Sequence, residues 1–325
     1  MDLRDGGLEL GRRLVALFSA KGRPGITYEP VASDDEVELS PVESPLESSP
    51  RQSISSGATD TTNMSPRKRK HRRRYTQRLP FRRIFTRNVV LTLLASFLLG
   101  FHVGTFNSLW FVFLSTPVYD PSKGPPEDAL PRKLPLIFTG GLGLQPREVG
   151  MAMAILGVIG IGLQLGVYPW LSARLGTVGS WRLFLLCFPF VYFLVPFLSL
   201  VPSSTPPPAP KDGIAVWAAI AGVLALHVVG RTFALPAQTI LVNNCTPHPS
   251  RLGTVHGIGQ SVSSFARTVG PVTGGFLYGL GLAKGVVGAV WWCLSGVAVC
   301  AVLASFLVWE GDGHEIWLEG DEEDD

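Results

Sequence analysis

Two arginines stand within apolar stretches of this sequence, where a permanent charge is costly. Arg267 lies at the middle of the glycine-rich stretch GTVHGIGQSVSSFARTVGPVTGGFLYGLG, residues 253–281, and Arg231 lies in the apolar stretch before it. A guanidinium does not shed its proton in a protein, and a charged side chain in hydrocarbon costs about 3 kcal/mol or more. Residues of this kind normally face a polar cavity or pathway. The chemistry that they offer is electrostatic recognition of a polar or anionic group.

Helical angles place further polar side chains beside both arginines. At about 100° per residue, His227 and Gln238 fall within about 40° of Arg231, provided that Pro236 does not rotate the stripe. The later stretch has a common side of its own, made of Gln260, Ser264, Arg267, Gly274 and Tyr278. This pattern is typical of a helix that lines a cavity, although a tight helix interface around a satisfied arginine would look similar.

The first apolar stretch adds a polar and an aromatic candidate. Asn107 and Trp110 are about 60° apart and could act together, whereas His102 is about 140° from Asn107 and is expected to be a packing histidine. Gln164 is a further polar candidate, in the second stretch. The candidate substrate-binding or translocation residues are therefore Arg267, Arg231, His227, Gln238, Gln164, Asn107, Trp110 and Tyr278.

Apolar stretches of membrane-spanning length must position these side chains. Hydrophobic residues make up 46% of the chain and charged residues 16%, and six segments reach the roughly 20 mostly apolar residues that a bilayer requires. They are residues 89–114, 149–169, 182–201, 214–236, 255–282 and 286–308. We therefore predict an all-α membrane protein with six transmembrane helices in a domain spanning residues 81–310. Because none of the six segments contains Asp or Glu, the counter-charge must come from an anionic substrate, from helices outside this chain, or from water and helix dipoles.

The residues before the first helix predict orientation. Residues 1–80 are rich in Ser, Pro and acidic residues and then strongly basic, so we expect a disordered cytosolic segment in which Ser40, Ser44, Ser49 and Ser65 precede proline. Eleven Lys or Arg between Arg67 and Arg87, including the run RKRKHRRR, favour a cytosolic start under the positive-inside rule and contact with the lipid bilayer rather than nucleic acid. Six crossings return the acidic tail, residues 311–325, to the cytosol. The sequence does not distinguish a location in the plasma membrane from one in the vacuolar membrane.

Other classes of protein fit less well. The four cysteines have no metal-ligand spacing, so we expect neither a metal site nor a cofactor. An intramembrane serine protease would need a GxSG nucleophile and a histidine on another helix. The nearest match is CLSG at 293–296, and the sixth segment contains no histidine, so we do not expect an enzyme. A non-transporting receptor or regulatory membrane protein stays an alternative.

Two motifs carry a family resemblance. The stretch ARTVGPVTGG, residues 266–275, resembles the GxxxGPxxGG signature of drug:proton antiporters in the major facilitator superfamily: Gly270, Pro271, Gly274 and Gly275 match, and Ala266 replaces the first glycine. The stretch YPWLSARLG, residues 168–176, lies between the second and third predicted helices. It matches that superfamily's loop signature GxLxDRxGRR only at Leu171, Arg174 and Gly176.

The resemblance implies half of a major facilitator transporter. The long charged segment before the helices corresponds to the family's central loop, which indicates the C-terminal six-helix half. The stretch from Arg231 to Pro271 resembles fungal members related to the zinc-induced facilitator-like group. The implied function is transport of a small organic solute or metal chelate, coupled to protons, by alternating access. The other wall of the site would come from a missing N-terminal half or from a second copy, unless the chain is a truncated gene product.

Overall fold

The computed structural model describes residues 77–123, 129–319 and 321. The chain divides into two units, Met1–Arg69 and Lys70–Asp325, and the described residues all belong to the second. The predicted disordered segment, its Ser-Pro sites and the basic run lie outside the described residues, apart from residues 77–80. Residues 320 and 322–325 of the acidic tail lie outside them too.

Six long helical segments cover most of the described chain, which contains no β-strand beyond an isolated bridge between Lys133 and Ile137. We number them α1 (Arg87–Ser115), α2 (Pro146–Leu175), α3 (Thr177–Leu200), α4 (Ile214–Asn244), α5 (Leu252–Ala283) and α6 (Ala289–Ser305). A π-helical turn, Leu163–Val167, interrupts α2, and α3 breaks at Leu186 and ends in 3-10 geometry at Val195–Leu200.

The chain is an all-α membrane protein. Among the described helices, α1 to α4 are long and apolar enough to cross a membrane. Although α5 has 32 residues, its sequence mixes Gly, Ser, Thr and Arg267 with the apolar residues, which makes it the least hydrophobic long helix. The last helix, α6, is apolar but has only 17 residues.

Several boundaries differ from the prediction. Pro236 does not end the fourth helix, which continues to Asn244, because a proline inside a membrane helix can be accommodated by local adjustment and neighbouring groups. Residues Tyr168–Leu175, expected in a loop, are helical and complete α2. The second helix also begins earlier than expected, so Glu148 lies in its first turn and accepts the backbone N–H of Gln145 at 2.9 Å. A carboxylate therefore does occur within a helix, although only at its end.

The core lies between α1, α3, α4 and α6. Its largest fully buried side chains include Trp110, Trp181, Trp291 and Tyr192. The second helix is the least covered, since only 11% of its most apolar window is buried. A wide apolar face of α2 is therefore left for lipid or for another protein.

The tail after α6 is docked rather than extended. Gly313 donates its N–H to the carbonyl of Asn244 at 3.1 Å, and Ile316 donates to the carbonyl of Pro247 at 2.8 Å. Leu318 packs with Ile316 on a small cluster at the ends of α1 and α4. The pKa of Asp321 is lowered to about 2, chiefly because its carboxylate accepts the backbone N–H of Leu318. Residues 310–319 thus pack along the turn between α4 and α5.

A cationic cleft between three helices

A polar cleft lies between α1, α4 and α5 and brings the two arginines together. It has a volume of about 190 Å³. The first helix contributes Asn107, α4 contributes Arg231 and Gln238, and α5 contributes Arg267. Four of the eight candidate residues therefore share one cleft, as the helical angles predict.

Small residues bring α5 against α1 at the level of Arg267. A Cβ added to Gly104 would stand 3.0 Å from the Cα of Arg267, and one added to Gly100 would stand 3.2 Å from the Cβ of Ala266. The backbone of Arg267 is held against α1, and its exposed side chain extends along the cleft. One guanidinium nitrogen, Nη2, donates to the Oγ of Ser263 at 3.0 Å, one turn earlier.

Arg231 lies at the junction of two cavities. It lines the cleft and also a groove of about 330 Å³ between α2 and α4, where Gln164 lies. Gln164 belongs to the π-helical turn of α2, and π-helical turns occur frequently at functional sites. The structure therefore places Gln164 beside Arg231, but in the adjoining groove rather than in the cleft.

Two positive charges line the cleft. Neither Arg231 nor Arg267 lies within 4.0 Å of a carboxylate oxygen in the part of the chain that the structure describes. Gln238 donates from Nε2 to the carbonyl of Thr92 at 3.3 Å, while its buried Oε1 has no hydrogen-bond partner among the described residues. The cleft thus offers two cationic donors, whereas the Oε1 of Gln238 is closed off from it.

Two candidates belong instead to an aromatic core. The imidazole of His227 is fully buried and stacks on Phe106 at 3.8 Å between ring centroids, and the indole of Trp110 stacks on the same ring at 5.5 Å. His102, expected to be a packing histidine, is buried nearby and its Nδ1 lies 2.9 Å from the hydroxyl of Tyr192. The helical angle of His227 matched that of Arg231, but neighbouring aromatic rings cover it.

Tyr278 also lies outside the cleft. Its hydroxyl is 2.7 Å from the Oγ1 of Thr116, just after the end of α1, so it fastens α5 to that end. His256 lines the cleft although it was not a candidate, and its Nδ1 is 2.9 Å from the Oδ1 of Asn243. The sequence could have indicated that His256 lines the cleft, because it is only about 20° from Arg267 on a helical wheel.

The glycine motif forms a helix interface in part. Added Cβ atoms at Gly270 and Gly274 would collide with Thr105 on α1, and Ala266 is fully buried against the same helix. Gly275 has no atom within 4 Å of such a Cβ, so it faces open space in this chain. Pro271 is partly buried within α5.

The loop motif has a different setting from the one its signature implies. Arg174 lies in α2, where its guanidinium covers the ring of Trp170 at 4.3 Å, and Leu171 is in the same helix. Gly176 ends that helix with a φ of 71°, a conformation that favours glycine.

The fold and cleft define a helical membrane protein with a cationic cleft between its helices. Proteins of similar sequence then identify the family. The chain is 34% identical over 228 residues to the major facilitator superfamily multidrug transporter mfsB of Aspergillus fumigatus, covering 70% of this chain and 35% of that protein. It is 28% identical to the major facilitator-type transporter psiT2 of Psilocybe cyanescens, over 49% of this chain and 31% of that protein. The chain belongs to the major facilitator superfamily.

A third relative, psiT2 of Psilocybe cubensis, is 25% identical over 53% of this chain and 32% of that protein. The matched region spans about a third of the length of each of these curated relatives. No family model matches the chain, and no solved structure matches it significantly.

Proposed function

We propose that this chain is the C-terminal six-helix half of a secondary transporter for small organic solutes. The observation that carries the proposal is that Arg231 and Arg267 line one cleft without a carboxylate partner in the described chain. A fold with no substrate to bind would gain nothing from two guanidinium groups in one cleft that no carboxylate of the described residues pairs, since each lowers the stability of the apolar layer around it. The relatives that share the sequence are named as transporters, one of them as a multidrug transporter.

The cleft suits a solute that carries an anionic or acceptor-rich group. The two guanidinium groups would bind that group through charge-assisted hydrogen bonds. Asn107 would provide a further polar contact from α1. A metal chelate with carboxylate groups would meet the same requirements as a small organic acid.

The opposite wall of the site would come from the missing N-terminal half or from a second copy of this chain. Two surfaces support this proposal. The exposed face of α5 includes Val272, which is 70% exposed, and Phe276, which is 68% exposed, and most of α2 is uncovered. Carboxylates on the opposite wall could carry the proton in coupled transport and balance the two arginines. During alternating access, α5 and α1 would move as one body, because their small-residue contact holds them together.

Both termini are proposed to be cytosolic. The docked tail then lies on the cytosolic face, together with Asn244, whose amide donates to Glu310 at 3.2 Å. Asn244 begins the sequence NCT, a glycosylation sequon that a cytosolic position would leave unmodified. A shift in mass on glycosidase treatment that is abolished by Asn244→Gln would reverse the orientation.

The first experiment is a blot of the native protein with an antibody against residues 311–319. A band near 35 kDa means that the native protein has the length of this chain, so the variants described below are made in it. A larger band means that those variants must be made in the longer protein. Efflux of an anionic fluorescein dye and of a cationic rhodamine dye is then measured in yeast cells that lack their own drug pumps. The cationic cleft predicts a preference for the anionic dye.

Two arginine variants test the site directly. Arg267→Ala and Arg231→Ala should each lower efflux about 10- to 100-fold at unchanged protein level, because each removes a charge-assisted contact worth about 1.5–3 kcal/mol. The matched control is Thr268→Ala, next to Arg267 but exposed and outside the cleft. Unchanged efflux in Arg267→Ala would remove this arginine from the mechanism.

A further inference from the structure

Three metal-ligating side chains meet where the tail contacts the turn between α4 and α5. The Nε2 of His248 lies 2.9 Å from Oδ2 of Asp321, and the Nε2 of His314 lies 3.3 Å from the same oxygen. All three ligand atoms lie within 4.8 Å of one another. In a tetrahedral zinc site with bonds of about 2.0–2.1 Å, neighbouring ligand atoms are roughly 3.3 Å apart. The three atoms can therefore reach one ion with small side-chain movements.

The surroundings of the cluster fit a metal site. The Nδ1 of His248 lies 2.7 Å from the Oγ of Ser250 and accepts the backbone N–H of Ser250 at 3.2 Å, so binding of an ion at Nε2 would require Nδ1 to donate to that Oγ instead. Oδ2 of Asp321 also accepts the backbone N–H of Leu318 at 2.8 Å, which orients the carboxylate. This same oxygen would hold both the hydrogen bond and the ion.

Burial distinguishes the three ligands. The side chain of His248 is fully buried, that of Asp321 is 3% exposed, and that of His314 is 20% exposed. An ion could thus reach the cluster past His314, where water could complete the coordination. Two imidazoles and one carboxylate are the ligand types that suit zinc-class ions.

We propose that His248, His314 and Asp321 bind one divalent zinc-class ion that clamps the tail onto the turn between α4 and α5. This departs from the expectation of no metal site, which considered the spacing of cysteines. The proposal does not depend on transport, because the cluster is separate from the residues that line the cationic cleft. The clamp would hold the tail on the end of α4, the helix that carries Arg231 and Gln238.

The test uses the full 325-residue chain, purified in detergent with an affinity tag that contains no histidine and stripped of metal with a chelator. Co²⁺ is titrated while its visible ligand-field absorption is recorded, and Zn²⁺ is then added as competitor. We expect one equivalent of Co²⁺ to bind with a low-coordinate spectrum and Zn²⁺ to displace it. Failure of the wild-type chain to bind one equivalent would overturn the proposal.

Variants locate the ion. His314→Gln and Asp321→Asn should weaken binding by at least the roughly 10- to 100-fold that loss of a supporting contact costs, and Ser250→Ala should weaken it less. Glu319→Gln is the matched control, because it neutralises an exposed carboxylate close to Asp321 and should leave the affinity unchanged. Because His314 is partly exposed, its substitution should not disturb folding, which monodisperse elution would verify. Equal affinity in wild type, His314→Gln and Asp321→Asn would overturn the assignment.

Proteolysis tests the clamp itself. A glutamate-specific protease can cut the tail after Glu315, and bound Zn²⁺ should slow this cut in the wild-type chain but not in His314→Gln. The variant also shows whether Zn²⁺ inhibits the protease. Equal rates with and without Zn²⁺ in the wild type would contradict a clamp.

Discussion

Gly104 on α1 lies directly against Arg267 on α5. A side chain at Gly104 would begin 3.0 Å from the Cα of Arg267 and 3.3 Å from its Cγ, closer than real Cβ atoms usually approach. Because Gly104 has no side chain, the backbone of Arg267 can approach α1 closely, and this contact determines where the charge of Arg267 lies. The backbone of Arg267 is held tightly against α1, and its guanidinium donates to Ser263 one turn earlier along the cleft.

Gly104→Val should damage both folding and the cleft. The three added carbon atoms must push α5 away, and overpacking of this kind costs about 1–3 kcal/mol. We expect a lower thermal midpoint, measured by tryptophan fluorescence in detergent, and loss of dye efflux in cells.

The matched control for that variant is Gly275→Val. It places the same side chain in α5 at a glycine with no atom within 4 Å. Its thermal midpoint should stay close to that of the wild type in detergent. A drop as large as that of Gly104→Val would mean that the cost comes from valine in a helix rather than from the contact between α1 and α5.

His227→Phe should be tolerated. Both ring nitrogens of His227 are buried without hydrogen-bond partners among the described residues, and the ring stacks on Phe106. Replacing it with an apolar ring of similar shape removes two unsatisfied polar atoms, so the thermal midpoint should hold or rise. Lost efflux in a well-folded His227→Phe protein would instead return His227 to the translocation site.

Tyr192→Phe should have the opposite effect on stability. The hydroxyl of Tyr192 is the partner of Nδ1 of His102, at 2.9 Å in the buried core. Leaving that nitrogen unsatisfied should cost about 1–3 kcal/mol, with efflux per folded molecule unchanged. An unchanged thermal midpoint would show that the hydrogen bond contributes nothing to stability.

The sequence predicted what depends on helical periodicity. Arg231 and Gln238 share a face of one helix, Arg267 lies on the predicted common side of the next, and the structure brings the three to one cleft. Periodicity does not reveal which neighbours cover a residue. Trp110 and His227 had suitable angles, yet both are buried among aromatic rings supplied by other helices.

Contacts between turns and the tail were beyond the reach of the sequence. His248 and Asp321 are 73 positions apart, in segments with no repeating pattern, and only the docking of the tail brings them together. The sequence also did not predict that α4 continues beyond Pro236, for a related reason. The local preference of proline predicts a break, whereas packing in the membrane preserves the helix.

Gln238→Leu should separate stability from function. The substitution removes a buried Oε1 that has no partner among the described residues, at the cost of one long hydrogen bond of 3.3 Å to Thr92. We expect a thermal midpoint equal to or above that of the wild type and about tenfold weaker efflux, since this part of the cleft wall becomes apolar. Gln238→Leu with full efflux would show that Gln238 is only a structural residue.

Arg182 should contribute more to stability than Arg174. Its Nε donates to the carbonyl of Ser305 at 3.1 Å and its Nη2 to that of Val308 at 2.8 Å, which ties α3 to the end of α6 and the residues just after it. Arg182→Leu should cost about 1.5–3 kcal/mol for each charge-assisted bond that water does not replace. Arg174→Leu is the control, because that guanidinium is exposed over Trp170 and contributes only about 0.5–1 kcal/mol. Equal falls in the thermal midpoint for both variants would show that tying α3 to the end of α6 is not what Arg182 supplies.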